Sequence, residues 1–127
     1  MSNYAKSLDD IDARPVAVVG AGTLGRRIAL MFSTRGGEVR IFDQSADQRE
    51  AATQYVDDTI DETLKIIGKG VAGKVIPAST LADAVAGAWL VVEAVPERLD
   101  IKIPLWGEID AAAADDAIFA TNSSSYA

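Results

Sequence analysis

The 127-residue chain contains no cysteine and no histidine. Lack of cysteine rules out disulfides, thiolate metal ligands and cysteine nucleophiles, and no metal site is expected. Lack of histidine removes the side chain most often used as a general base near neutral pH. Any proton transfer therefore falls to another residue, or to a base that lies outside this sequence. Positive charge is also in short supply: 12 Lys and Arg against 19 Asp and Glu leave a net charge of −7. That balance argues against nucleic acid or an anionic membrane as a general partner, while a local basic pocket for phosphates stays compatible with it. No apolar run approaches transmembrane length. The first fourteen residues are polar and lack an apolar signal core. They read as a flexible lead-in, with a cytoplasmic setting expected. With 49% hydrophobic residues, the remainder, from residue 15 to 127, reads as one globular domain able to bury about two thirds of its unfolded surface.

The most informative segment is Gly20-Ala21-Gly22-Thr23-Leu24-Gly25. Before it, Pro15 to Val19 is short, apolar and β-branched, as a buried strand should be. After it, Leu24, Ile28, Met31 and Phe32 recur at helical spacing, which predicts the buried face of a helix that Gly36-Gly37 stops. Val39 to Phe42 predicts a second strand, ending at Asp43. Strand, glycine turn, helix, strand and acid together form a dinucleotide-binding fingerprint. Gly20 allows the tight turn, Gly22 lets the backbone approach a pyrophosphate, and Gly25 lets the helix pack closely. The N–H groups at the helix start supply an anion site. Asp43, eighteen residues after Gly25, is placed to accept from adenosine ribose hydroxyls and to repel a 2′-phosphate. NAD is therefore expected rather than NADP, with Arg40 directed elsewhere along its strand. FAD uses the same kind of turn.

Beyond Asp43, Ser45 and Gln48 form a capping box. The long helix it opens carries Ala52, Tyr55, Val56, Ile60, Leu64 and Ile67 on one face, and Gly68 with Gly70 ends it. Lys65, Lys69 and Lys74 gather near that end. They read either as cations favoured by the helix C-terminus or as a patch for an anionic substrate handle such as the phosphates of coenzyme A. Val75 to Ser79 is a weak third strand, and Leu81 to Ala86 a short helical turn. Trp89 to Val95 is almost wholly apolar, as a parallel strand covered on both faces should be. A helix over roughly 101–114 follows, with Pro104 acceptable only in its first turn. Ala117 to Thr121 is a fifth strand. The expected architecture is a Rossmann-type, doubly wound, mostly parallel α/β sheet, cut short before its last strands. Ligands bind such sheets at the carboxyl ends of the strands, which puts Ser123 to Ser125 where chemistry is expected.

Trp89-Leu90-Val91-Val92-Glu93-Ala94-Val95-Pro96-Glu97, with Leu99 and Lys102 and then Ile118 to Ser125, closely resembles the NAD-binding domain of 3-hydroxyacyl-CoA dehydrogenases. Val16 to Asp43 and the long helix after it fit the same family. The resemblance implies that Ala94 and Val95 line the nicotinamide half of the cofactor. It implies too that Glu97 and Lys102 contact its ribose and nicotinamide portion, and that Ser124 meets both cofactor and substrate hydroxyl to orient the reacting C–O group. The full expected contact set is Gly20, Ala21, Gly22, Thr23, Leu24, Gly25, Asp43, Gln44, Ala94, Val95, Glu97, Lys102, Asn122 and Ser124. The implied reaction is oxidation of an L-3-hydroxyacyl-CoA by hydride transfer to NAD, in fatty acid metabolism. Dehydrogenases of a free hydroxy acid, of the gulonate or carnitine type, share the motif; a non-catalytic NAD-binding module is a further alternative. In the family the catalytic histidine, its orienting glutamate, an asparagine and a helical substrate and dimerisation domain follow the serine motif. They are absent here, so this chain alone is expected to bind nucleotide but turn over little. The complete protein is expected to be a homodimer. Trp89 and Pro104 depart from the family pattern.

Overall fold

In the computed structural model, residues 14–95 and 99–121 are described, with the side chains of 99–103 left aside. The elements alternate: β1 (Val16–Val19), α1 (Thr23–Ser33), β2 (Glu38–Phe42), α2 (Ala46–Ile67), β3 (Lys74–Pro77), α3 (Leu81–Val85), β4 (Leu90–Glu93), α4 (Leu99–Ala112) and β5 (Ile118–Thr121). All strand pairs are parallel, and the sheet order is β3-β2-β1-β4-β5. The chain winds outward from β1 in one direction, then returns to wind in the other. The connections that leave the carboxyl ends of the paired strands β1 and β4 therefore run opposite ways, the place where such sheets form a crevice.

β1 lies at the centre and is buried along its whole length. Its pleat divides the core in two. Val16 and Val18 meet Leu30, Ile41, Val56 and Ile60 under α1 and α2. Ala17 and Val19 meet Leu81, Val85, Val91 and Ile109 under α3 and α4. Among the described residues no helix is long and apolar enough to cross a membrane.

The two expected helix faces hold in part. In α1 the buried residues are Gly25, Ala29, Leu30 and Ser33, while Leu24 and Met31 are 39% and 55% exposed. Gly25 and Ala29 let α1 approach the sheet closely; of the expected stripe, Ile28 and Phe32 pack against the core with Leu30, while Leu24 and Met31 turn outward. In α2 the buried line of Ala52, Val56 and Ile60 is as expected, with Tyr55 and Leu64 packed beside it, but Ile67 at the last position is 40% exposed. Gly68 ends α2 in the left-handed conformation, its N–H returning to the Leu64 carbonyl at 2.9 Å. Pro104 is not in a first turn. It is the sixth residue of α4, so its missing N–H removes the helical bond to the Asp100 carbonyl. The exposed position of Pro104 and the packing of Leu105, Trp106 and Ile109 beyond it accommodate that loss. Trp106 stands edge-on to Phe119, with ring centroids 5.5 Å apart.

At the amino ends of the strands Arg14 closes the fold. Its guanidinium meets Asp116 through two bonds of 2.7 Å, and donates to the carbonyls of Gly87 and Ala88 at 3.0 and 3.1 Å. The start of β1 is thereby tied to the loops that enter β4 and β5. Bidentate, partly buried pairing is the geometry in which an ion pair stabilises measurably. Arg14→Ala is expected to cost about 1–2 kcal/mol, read as a lower midpoint in urea denaturation with an unchanged slope.

Candidate functional site

The turn from β1 into α1 is held by backbone on three sides. The Gly20 N–H donates to the Phe42 carbonyl at 2.7 Å, and the Ala94 N–H donates to the Val19 carbonyl at 2.8 Å. Gly20 has φ +112°, and a Cβ there would lie 2.8 Å from the Ala94 carbonyl carbon and oxygen. Gly25 is more constrained still: its Cβ would lie 1.7 Å from the Gly20 oxygen. The first turn of α1 thus rests directly on the turn that precedes it. Gly22 differs. Nothing lies within 4 Å of where its Cβ would be, so no protein contact calls for a glycine there.

The start of α1 is also left open. Gly22 provides no side-chain cap, and the first turn holds no acid. Helices α2 and α3, by contrast, are capped by the Ser45 and Thr80 hydroxyls. The first bond within α1 runs from the Arg26 N–H to the Gly22 carbonyl at 3.0 Å. The N–H groups of Thr23, Leu24 and Gly25 precede it and point out of the helix end, an arrangement suited to an anion.

Asp43 stands at the end of β2 beside this turn. One carboxylate oxygen accepts from the Ala21 N–H at 3.0 Å, the other from the Ser45 N–H at 2.9 Å. The expected capping box is therefore only half made. Ser45 accepts from the Gln48 N–H at 3.2 Å, but Asp43 takes the Ser45 N–H. The Gln48 side chain instead accepts from Arg26 at 2.8 Å. Each carboxylate oxygen has a second lone pair, so Asp43 keeps acceptor capacity for a ribose hydroxyl. Gln44 is exposed in the connection that follows. Arg40 does point elsewhere: it pairs with Glu38 at 2.6 Å and donates to the Asp83 and Ala86 carbonyls at the end of α3.

Three residues at this site escaped the motif reading. Arg26, directly after the last glycine, donates to the Ala21 carbonyl at 3.2 Å as well as to Gln48, and its Nε is buried without a partner. Arg49 donates to the Asp43 carbonyl at 2.6 Å. Both bring positive charge to the Asp43 end of the crevice. Glu93, at the end of β4, is fully buried and accepts from the Val95 N–H at 2.8 Å and the Thr121 hydroxyl at 2.6 Å. An acid closing an otherwise apolar strand was the available signal. Ala94 and Val95 follow it, half-buried against Gly20. The structure thus brings together the glycine turn, Asp43, Ala94 and Val95. Glu97, Asn122 and Ser124 lie outside the described residues, as does the side chain of Lys102, whose backbone belongs to α4. A separate cavity of about 240 Å³, lined by Arg14, Phe32, Arg35 and Trp89 among others, opens at the opposite ends of the strands and takes no part in the crevice.

Residues 15–127 match the family model of the 3-hydroxyacyl-CoA dehydrogenase NAD-binding domain. The chain belongs to that family. It is 37% identical over 116 residues to L-carnitine dehydrogenase of Nocardiopsis dassonvillei, covering 89% of this chain and 35% of the relative. It is 31% identical over 132 residues to 3-hydroxyadipyl-CoA dehydrogenase of Escherichia coli, covering 91% of this chain and 25% of the relative. Among solved structures, a diketoreductase superposes with a TM-score of 0.77 at 33% identity, covering 88% of this chain and 42% of that one. The chain thus spans between about a quarter and just over a third of the length of the curated relatives it matches. It is an NAD-binding domain of a dehydrogenase family, and the open start of α1 and the unfilled space at Gly22 fit the pyrophosphate of that cofactor.

The two glycines separate packing from binding. Gly22→Ala is expected to change stability by less than about 0.5 kcal/mol while weakening NADH binding on the order of tenfold. Gly25→Ala is expected to cost about 2 kcal/mol or more, because backbone must move. Urea denaturation and fluorescence titration of each variant check both.

Proposed function

We propose that the chain is the cofactor-binding part of an oxidoreductase that converts an L-3-hydroxyacyl-CoA to the 3-oxoacyl-CoA. What carries the cofactor half of this reading is the pairing of an uncapped helix start with a carboxylate at the end of the adjacent strand. In this reading the N–H groups of Thr23, Leu24 and Gly25 hold the pyrophosphate, and Asp43 receives the adenosine ribose. When bound, the nicotinamide supplies hydride acceptance. Ala94 and Val95 form the floor beneath it, Glu97, Lys102 and Asn122 add polar contacts, and Ser124 orients the substrate hydroxyl. Residues 15–127 act as the cofactor domain and 1–14 as its lead-in, of which Arg14 is not loose but tied to the loops before β4 and β5. The general base, the substrate pocket and the contacts of a homodimer come from sequence beyond this chain.

A second reading has specific support. The 37% identity to an L-carnitine dehydrogenase favours a free 3-hydroxy acid as substrate just as the 3-hydroxyadipyl-CoA relative favours a thioester. Both substrates present a secondary alcohol β to a carbonyl carbon, so the cofactor domain serves either unchanged. A panel of 3-hydroxyacyl-CoA esters, carnitine and gulonate, assayed on a full-length protein that contains this domain, separates them. Activity confined to the thioesters supports the first reading, and activity confined to carnitine or gulonate replaces it.

The cofactor preference is tested on the chain itself. Asp43→Asn removes the charge that repels a 2′-phosphate and leaves Arg26 and Arg49 nearby to receive one. The ratio of NADPH to NADH dissociation constants is expected to fall about tenfold or more, read by fluorescence titration. An unchanged ratio would remove Asp43 as the discriminating residue.

A further inference from the structure

Glu93 is the acid in the described core that the proposed chemistry leaves unused. It occupies the last position of β4 and is fully buried. By the strand's alternation it lies on the same face as Val91, which packs with Val19, Leu81 and Ile109. An apolar side chain would suit that face, and a buried carboxylate is costly unless its oxygens are satisfied. Here one oxygen holds the Val95 N–H at 2.8 Å and the other holds the Thr121 hydroxyl at 2.6 Å. Thr121 is the register partner of Glu93 across the β4–β5 pair. The carboxylate thereby straps the first turn after β4 to the carboxyl end of β5.

The topology gives this strap a place in the crevice. β2, with Asp43 at its end, flanks β1 on one side, and β4 flanks it on the other. With adenosine at Asp43 and pyrophosphate at the glycine turn, the other half of an extended dinucleotide extends over the ends of β4 and β5. We infer that Glu93 is a positioning residue for the nicotinamide half, acting through the Val95 backbone and the end of β5. This rests on the cofactor placement proposed above. Without the strap the fold keeps its pyrophosphate site, while the floor under the nicotinamide loses its set geometry.

The test compares NADH with ADP, which carries the adenosine and pyrophosphate but no nicotinamide. The intact chain, Glu93→Ala and Thr121→Val are titrated with each. The expected result is a rise in the NADH dissociation constant of about tenfold for Glu93→Ala and about threefold for Thr121→Val, with ADP binding within about twofold of the intact chain. Equal weakening of NADH and ADP, or no weakening of NADH, overturns the inference, since a purely structural role moves both ligands together. Should Glu93→Ala lose its circular dichroism spectrum, Thr121→Val decides alone by the same split. Failure of the intact chain to bind either ligand would instead overturn the cofactor placement, and this inference with it.

Discussion

Everything at the carboxyl edge of the sheet depends on one close contact, where the first turn of α1 lies against the turn that leaves β1. Only hydrogen at the Gly25 α-carbon lets the helix come that near the Gly20 carbonyl, since a Cβ would sit 1.7 Å from it. The same turn is pressed from the other side by the backbone of Ala94. With helix start, turn and β4 end all touching, the open N–H groups of α1 face one crevice. Close packing, rather than any side-chain contact, therefore aims the helix dipole.

Around that contact the polar groups are arranged asymmetrically. On the β2 side, Asp43 binds the Ala21 and Ser45 N–H groups and couples the glycine turn to the start of α2. Arg26 repeats the coupling by reaching both the Ala21 carbonyl and Gln48. On the β4 side, Glu93 links the Val95 N–H to Thr121. Two acids at the ends of β2 and β4 thus flank the turn, Asp43 holding backbone N–H groups with both oxygens and Glu93 holding one backbone N–H and one side-chain hydroxyl. The helix start between them carries no acid of its own, which leaves its partial positive charge available to an anion.

Much of this was legible in the sequence. The glycine spacing, the apolar runs of β1 and β4, the terminal Asp43 and the Ser45 cap are local signals, and local sterics and hydrogen bonding produce them. What could not be read depended on partners distant in sequence. Leu24 and Met31 fit a helical stripe, yet the small residues Gly25 and Ala29 set the true contact line by letting the sheet approach. The capping box is an exception of local origin: Asp43, only two residues before Ser45, takes the Ser45 N–H that Gln48 was expected to hold. Pro104 lies within α4 because packing of Leu105, Trp106 and Ile109 on the sheet outweighs one missing backbone bond.

By itself the sequence determined the alternation of strands and helices, the phosphate-binding turn and the family to which the chain belongs. These follow from periodicity, from glycine stereochemistry and from motifs that act over a few residues. Only the tertiary structure decided which groups meet: Arg14 with Asp116, Asp43 with Ala21, and Glu93 with Thr121, pairs separated by 102, 22 and 28 residues. Strand order set those meetings. Each parallel pairing needs a crossover helix between its strands, so the strand ends that meet lie tens of residues apart and no local pattern encodes which groups become neighbours.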